Sequence, residues 1–464
     1  MSEAPPAADA PWQRGAATAV IDGNTGWDYD ALAVRVAARA ARLRAQGLAA
    51  GEVVLVPDQP GADLLVMQHA LWRLRAALLP ISPTSEPARR AALIERAGVE
   101  WQWTPTEAGE GRLYPTGQAR AATVPSLPSP LAAVIETSGS SGAPRAALLT
   151  QSAVQAACQL NNAHLGLGAD DRWLCCLPRH HIGGLSIGWR CAIAGAAVVV
   201  QAGFDAATVH AALVRHRVTH VSLVPPMLAR LLALGAPAPP TLRVVLVGGQ
   251  ALHGALAEQA LTAGWPLRVT YGMTETCSQI ATSGVLERAP EPGVIGPPLP
   301  GIEIDCPPAG ATPGRLRVRG PILMAGYATP ERRPGVGLDA DGWLATSDLA
   351  VRTADGALRV VGRADDALVI GGHNVFPLQV EGRLLRAPGV SAACVVGLVE
   401  PVWGHSLAAA YAGTGEVATL ERWCREHLPS PERPRRLLRL TSLPLLPSGK
   451  YDRARVRQLL GERG

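Results

Sequence analysis

Five short segments of this chain carry residue types that could do chemistry on phosphates. In Thr137-Ser138-Gly139-Ser140-Ser141-Gly142-Ala143-Pro144-Arg145, hydroxyls are interleaved with glycines directly after the apolar run Ala132-Ala133-Val134-Ile135. Side-chain O–H groups, with backbone N–H groups unobstructed by a Cβ, are what a loop needs to cradle phosphate oxygens. A plain Gly/Ser turn has a similar composition, and the spacing is not that of the GxxxxGK[ST] loop. In Val269-Thr270-Tyr271-Gly272-Met273-Thr274-Glu275-Thr276, Tyr271 offers a face for a base and Thr274 a hydroxyl for phosphate. Glu275 offers the hard oxygen that Mg²⁺ prefers. Asp348 follows a strand-like run at Trp343-Leu344-Ala345-Thr346-Ser347. It either caps a turn or accepts both hydroxyls of a ribose.

The fourth segment is Gly362-Arg363-Ala364-Asp365-Asp366, followed by Ile370-Gly371-Gly372-His373-Asn374-Val375-Phe376-Pro377. The fifth contains the one lysine among 43 basic residues, Lys450, in Leu446-Pro447-Ser448-Gly449-Lys450-Tyr451. Drift toward GC-rich codons replaces Lys by Arg wherever the two are equivalent. They are not equivalent where a compact ammonium must reach a small target, because guanidinium is broad, planar and permanently charged. The surviving lysine is either left by chance or marks a place where chemistry forbids Arg, and its setting in a Pro-Ser-Gly-Lys loop favours the second reading.

These segments need rigid elements to hold them. Tyr29 to Leu48 and Ala62 to Ala77 have helical spacing, and Val53-Val54-Leu55-Val56 reads as a buried strand. Short β-branched runs recur at Ala132–Glu136, Trp173–Leu177, Ala196–Gln201, His220–Val224 and Arg243–Val247. Separated by helices, such runs indicate largely parallel sheets. After about Pro298 the pattern turns to the alternation of half-buried strands, at Ile302–Asp305, Arg315–Arg319 and Leu358–Val361. The expectation is an α/β chain. Residues 1–361 form a large N-terminal domain of mostly parallel sheets with helices, plus a β-rich subdomain. Residues 362–464 form a small α+β C-terminal domain that carries the lysine.

A length of 464 residues requires more than one core. The hydrophobic content of 48% and charged content of 17% exclude a disordered chain. A net charge of +5, with basic clusters no longer than Arg433-Pro434-Arg435-Arg436, argues against nucleic acid as a partner. Apolar stretches such as Ala192–Val200 are far shorter than the roughly 20 residues of a membrane span. Met1–Ala10 has no basic start followed by an apolar run. The eight cysteines are scattered, without zinc or disulfide spacing. A reduced, soluble, cytoplasmic protein is expected.

Taken in order, the five segments resemble the adenylate-forming superfamily of acyl-CoA synthetases, adenylation domains and luciferases. The Thr137 loop is similar to its TSG[ST][ST]GxPK signature, with Arg145 in place of Lys. Tyr271–Glu275 matches YGxTE, and Asp348 matches the TGD aspartate, although Ser347 replaces the glycine. Arg363 matches the arginine of GRxDD, and Lys450 the lysine of PxxxxGK. Within the superfamily the chain resembles the o-succinylbenzoate–CoA ligases of menaquinone synthesis. The segments concerned are Leu177-Pro178-Arg179-His180-His181-Ile182-Gly183-Gly184-Leu185-Ser186, Val221-Ser222-Leu223-Val224-Pro225 and Gly272–Ile280. His180 stands where that group has Phe, and His373 where it has Glu.

The resemblance implies ATP-dependent formation of an acyl-adenylate and transfer of the acyl group to CoA. Lys450, Thr274, Glu275 and His181 would be catalytic, with Glu275 holding Mg²⁺. Thr137, Ser138, Gly139, Ser140, Ser141, Gly142, Arg145, Gly249, Tyr271, Gly272, Asp348 and Arg363 would bind nucleotide. Gly371 and Gly372 would admit the pantetheine arm. Asp365 would be the hinge about which a mobile C-terminal domain rotates. A dicarboxylic acid needs a buried cation or strong donors, for which Arg230, Arg190 and Ser278 are candidates. The expected partners are a small carboxylic acid, ATP and CoA, with self-association into a homodimer left open. Another aryl- or acyl-CoA ligase, or an adenylation domain loading a carrier protein, remains an alternative.

Overall fold

Val53-Val54-Leu55-Val56 is buried at all four positions, as a strand covered on both faces must be. It lies in the strand Val53–Pro57 at the heart of a seven-stranded sheet. The order is Gly326–Tyr327, Arg145–Thr150, Leu131–Thr137, Ala77–Ile81, Val53–Pro57, Trp101–Thr104, Arg112–Pro115. The central pairings are parallel. Leu131–Thr137 and Arg145–Thr150 run antiparallel, with Thr137 opposite Arg145. The computed structural model describes residues 15–105, 111–118, 127, 129–137, 145–370, 372–400, 404–446 and 449–461.

A second sheet has eight strands, in the order Ser278–Thr282, Leu267–Met273, Val244–Val247, His220–Leu223, Arg172–Cys175, Ala197–Val200, Thr18–Asp22, Thr25–Asp28. The outermost pairing at each end is antiparallel and the inner ones are parallel. The connecting helices start where the sequence supplies caps. Asp28 accepts from the Ala31 N–H at 2.7 Å at the head of Tyr29–Ala45. Thr150 accepts from Ala153 at 3.2 Å before Gln151–Leu165. Each such cap contributes about 1 kcal/mol. Apolar side chains of both sheets and their helices form the main core.

The alternating region forms a five-stranded antiparallel sheet, in the order Val294–Gly296, Leu358–Arg363, Leu344–Arg352, Gly314–Arg319, Glu303–Asp305. Two expectations shift here. Asp348 lies inside the strand Leu344–Arg352 rather than after it, on its buried face with Leu344, Thr346 and Ala350. Gly362 and Arg363 still pair with this sheet, opposite Leu349 and Asp348. The chain leaves it at the 3₁₀ turn Ala364–Asp366 and joins the last sheet at Leu368–Ile370.

That last sheet runs His373–Val375, Leu368–Ile370, Gly404–Gly413, Val390–Glu400, with Arg436–Leu440 parallel to Gly404–Gly413. Its long strands alternate strictly. Ala393 and Val395 pack with Val380, Leu384 and Leu420 of the helices on one face. Cys394 and Val396 pack with Val456 and Leu460 of the helix Arg453–Gly461 on the other. The period of two along a strand gives this division. No helix among the described residues is long and apolar enough to cross a membrane.

Candidate active site

The lysine loop of the last unit rests on the carboxyl ends of the eight-stranded sheet. The helix Pro225–Leu232 begins directly after the strand His220–Leu223 and its cap residue Val224. Gly449 sits against it: a Cβ added there would come within 2.8 Å of both Met227 Cε and Val224 Cγ2. Gly449 also has φ +80°, so the position requires glycine twice over. Lys450 then reaches Gly249, which follows the strand Val244–Val247 and has φ +76°. A Cβ at Gly249 would stand 3.4 Å from Lys450 Cε. Burial first, and then the Arg363 guanidinium, pull the Lys450 ammonium below its ordinary value, while Asp348 acts in the opposite direction.

Asp348 is buried and engaged from two sides. The Tyr271 hydroxyl donates to its Oδ2 at 2.6 Å, and Arg363 Nη1 stands 3.8 Å from Oδ1. Its backbone N–H donates to Thr346 Oγ1 at 3.1 Å, and Thr346 in turn donates to the Leu316 carbonyl at 2.9 Å. Burial pushes the Asp348 carboxyl up, outweighing the Tyr271 hydrogen bond and the Arg363 charge. Arg363 grips Asp365 with two hydrogen bonds. Four of the five segments therefore meet at one place: Tyr271, Asp348, Arg363 with Asp365, and Lys450.

The segment after Tyr271 is tightly determined. A Cβ at Gly272 would fall 1.7 Å from the Ser278 carbonyl oxygen, a contact no side chain survives. Thr274–Thr276 forms one 3₁₀ turn, closed by Thr276 Oγ1 accepting from the Met273 N–H at 3.2 Å. Cys277 follows at φ +50° and Ser278 at φ +111°, a strained backbone of the kind that gathers at functional sites. Glu275 Oε1 accepts from the Tyr327 hydroxyl at 2.8 Å, and the Arg145 guanidinium lies 4.9 Å over the Tyr327 ring. Tyr327 thus links the magnesium candidate to the far end of the phosphate loop. Nothing in the sequence singled out Tyr327; only the pairing of Gly326–Tyr327 with Arg145–Thr150 brings it there.

Thr137 donates to the Arg145 carbonyl at 3.4 Å. Ser138, Gly139, Ser140, Ser141 and Gly142 lie outside the described residues, as does Gly371. Gly372 has φ +82° and open space around it. A single half-buried carboxylate beside threonine hydroxyls suits Mg²⁺, which is held by one or two carboxylates together with substrate phosphates rather than by a protein cage.

His181 is the N-cap residue of the helix Ile182–Ala194. Its ring is exposed and packs on His180 with centroids 4.6 Å apart. Nearby protein, then His180 and Lys450, act to lower its pKa. The water-exposed ring tempers that shift, and the direction leaves the imidazole neutral at pH 7. Lys450 is thus near enough for its charge to act on His181.

The three candidates for an acid-binding cation separate clearly. Arg190 is 2% exposed, and its Nε and Nη2 meet no acceptor among the described residues. Its guanidinium lies 5.4 Å from the Trp173 ring centroid, and burial lowers its pKa. Arg190 also acts electrostatically on Cys158, and Cys158 on Cys277, next to Ser278. Arg230 is exposed and lies over the Phe204 ring at 5.1 Å. A solvated guanidinium needs no buried anion, so Arg230 leaves the candidate set. Sequence reading also missed the buried contacts of Asp58 with Arg179 and His180, since nothing local in Pro57-Asp58-Gln59 points across to residue 179.

This arrangement agrees with what the chain is similar to. Residues 8–328 match the family model described as AMP-binding enzyme. Residues 379–450 match the one described as AMP-binding enzyme C-terminal domain. A 2-succinylbenzoate–CoA ligase of Bacillus cereus (strain Q1) is 36% identical over 338 residues, spanning 71% of this chain and 70% of that protein. Among solved structures, o-succinylbenzoate CoA synthetase (MenE) from Bacillus subtilis with the acyl-adenylate OSB-AMP superposes with a TM-score of 0.81. Its identity is 27%, and 95% of each chain is covered. The same enzyme with ATP and a magnesium ion gives a TM-score of 0.81 at 27% identity, over 96% of each chain. From the matched models and this relative, the chain belongs to the AMP-binding enzyme family.

Proposed function

We propose that the chain activates o-succinylbenzoate with ATP, forming an acyl-adenylate and pyrophosphate, and then transfers the acyl group to CoA. The observation that carries this reading is the meeting of Lys450 with Gly249, Asp348 and Arg363, residues from four distant segments. A carboxylate attacking the α-phosphate joins two anions. The site must therefore neutralise charge and hold the partners in line.

Lys450 supplies a compact positive charge where the carboxylate meets the phosphate. Thr274 and the Thr137–Arg145 loop hold phosphate oxygens, and Tyr271 presents its ring to the base. Asp348, already an acceptor for Tyr271, takes the ribose hydroxyls, with Arg363 beside it. Glu275 holds Mg²⁺, which when bound offsets the charge of the departing pyrophosphate. In the second step the CoA thiol attacks the acyl carbon and AMP leaves, with Gly372 leaving room for the pantetheine arm.

The part of the C-terminal unit beyond Asp365 swings between the two steps about that residue, while Gly362 and Arg363 stay in the five-stranded sheet. The support is that the chain leaves one sheet at Arg363 and enters the next at Leu368, with only the turn Ala364–Asp366 and Ala367 between. With Lys450 docked, the present arrangement is the one for adenylation. The second carboxylate of the acid finds its cation in Arg190, with Ser278 as a hydroxyl donor. Naming this acid rests on the relatives and on that buried guanidinium.

The test is pyrophosphate release with Mg²⁺, ATP and a panel of aromatic acids, followed by thioester detection after CoA is added. Release is expected with o-succinylbenzoate far above benzoate, and the thioester only when CoA is present. ADP and phosphate as products would overturn the adenylation reading. Equal turnover of the two acids would overturn the choice of acid.

A further inference from the structure

Asp58 lies just past the end of the strand Val53–Pro57, in the seven-stranded sheet. Arg179, His180 and His181 lie past the end of Arg172–Cys175, in the eight-stranded sheet. One carboxylate joins the two. Asp58 Oδ2 accepts from the Arg179 N–H at 2.7 Å, the His180 N–H at 3.2 Å and His180 Nδ1 at 3.1 Å. Its Oδ1 accepts from Arg179 Nε at 3.0 Å. Arg179 returns across the gap, donating Nη1 to the Gly61 carbonyl at 2.6 Å and Nη2 to the Gln59 carbonyl. The three side chains are 10–14% exposed, so water competes little for these bonds.

The next residue is different. His181 is exposed, and its ring rests on the ring of His180. Burial alone would raise the Asp58 carboxyl, but the His180 hydrogen bond and the Arg179 and His180 charges hold it below its ordinary value. A buried, fully engaged anion thus fixes the backbone and the ring that together carry an exposed ring beside Lys450. A helix N-cap with no side-chain cap of its own gains its orientation from this network.

We propose that Asp58 is a positioning residue for the acid site: through Arg179 and His180 it sets the His181 ring as the wall against which the aromatic acid rests. His180, which stands where similar ligases carry Phe, keeps the flat surface under His181 and adds the nitrogen that ties it to Asp58. The idea rests on the acid lying in the cleft that Lys450 and His181 share. It extends that reading to residues that touch neither acid nor nucleotide.

Asp58→Asn keeps the shape and removes the charge. Pyrophosphate release is measured with acid varied at saturating ATP, and with ATP varied at saturating acid. The expected result is a rise of about tenfold in the KM for acid, in keeping with the sensitivity of reactions to misplacement. The KM for ATP should stay within about twofold on the same grounds. His180→Leu, which leaves the Asp58–Arg179 pair in place, should raise the acid KM likewise, and His180→Phe, which keeps the flat ring but loses the tie to Asp58, should restore it only in part. A merely structural role would lower kcat and thermal stability and leave both KM values alone. That result, or an equal rise in both KM values, overturns the proposal. The wild-type enzyme on o-succinylbenzoate is the control for the functional reading. If it is inactive there, the same variants are compared on whichever acid the wild type does activate.

Discussion

Arg363 closes on Asp365 with two hydrogen bonds, Nε to Oδ1 at 2.9 Å and Nη2 to Oδ2 at 2.8 Å, while its Nη1 stands 3.8 Å from Asp348. A residue beside the ribose candidate thus holds the residue proposed as hinge. Asp365 sits in a 3₁₀ turn, where φ is about −60°. Proline fixes φ near −65°, so Asp365→Pro should freeze the arrangement in which Lys450 is docked. Adenylation is expected to persist within about tenfold, while thioester formation falls by at least 10², as expected when a catalytic constellation cannot assemble. Asp365→Ala, which frees Arg363 without stiffening the chain, should keep both. Single-turnover measurement of each half-reaction checks this, and equal loss of both in folded Asp365→Pro removes the hinge from residue 365.

Arg190 makes two opposite predictions at once. A buried guanidinium with two nitrogens that meet no acceptor among the described residues costs stability, and replacing buried charge by a well-packed apolar residue is often neutral or stabilising. Arg190→Met should therefore melt at the same temperature or higher. It should also lose about 10–100-fold in kcat/KM on o-succinylbenzoate, the size of a hydrogen bond to a charged group at 1.5–3 kcal/mol, and lose little on benzoate. Calorimetry and steady-state kinetics with both acids test the pair of outcomes; a parallel loss on both acids would take Arg190 out of the acid site.

Strands such as Val53–Pro57 were legible in the sequence because burial on both faces leaves continuous β-branched runs, whereas its neighbour Ala77–Ile81, equally buried, was not, because Ala77-Leu78-Leu79-Pro80 carries no β-branched residue. The meeting of Tyr271, Asp348, Arg363 and Lys450 was legible because the five segments, taken in order, resemble those of the adenylate-forming superfamily. Lys450 was the clearest, alone among arginines. Arg230 misled because 42 arginines make any one of them uninformative until the helix face is known. On Pro225–Leu232 the buried face takes Met227, Leu228 and Leu231 and leaves Arg230 outside. Asp58 and Tyr327 were illegible because their partners lie 121 and 52 residues away. Only sheet topology supplies such pairings.

Two buried histidines set the acid side of stability. His69 is 1% exposed on the helix Asp63–Leu74, and burial pushes it down to about 4. His220, also fully buried, shifts the same way by burial, with Asp171 opposing. Each is a base whose folded pKa lies below its unfolded value of about 6.5, so the unfolded chain binds more protons between those values. The stability is fully present above pH 6.5 and is lost as pH falls toward 4. The melting temperature should decline through that window, and His69→Leu should flatten the decline. An unchanged slope in that variant would show that His69 is protonated when folded.

The most direct measurement is the rate of pyrophosphate release by Lys450→Arg. A planar fork cannot occupy the space of the compact ammonium on a side chain whose Cε passes beside Gly249. The rate should fall by about 10²–10³, the scale for one transition-state charge contact, with ATP affinity unchanged. Lys450→Ala should fall at least as far, and both variants should still form thioester from acyl-adenylate supplied ready-made. Adenylation at the wild-type rate in Lys450→Arg, with ATP affinity unchanged, would contradict a lysine kept for its chemistry.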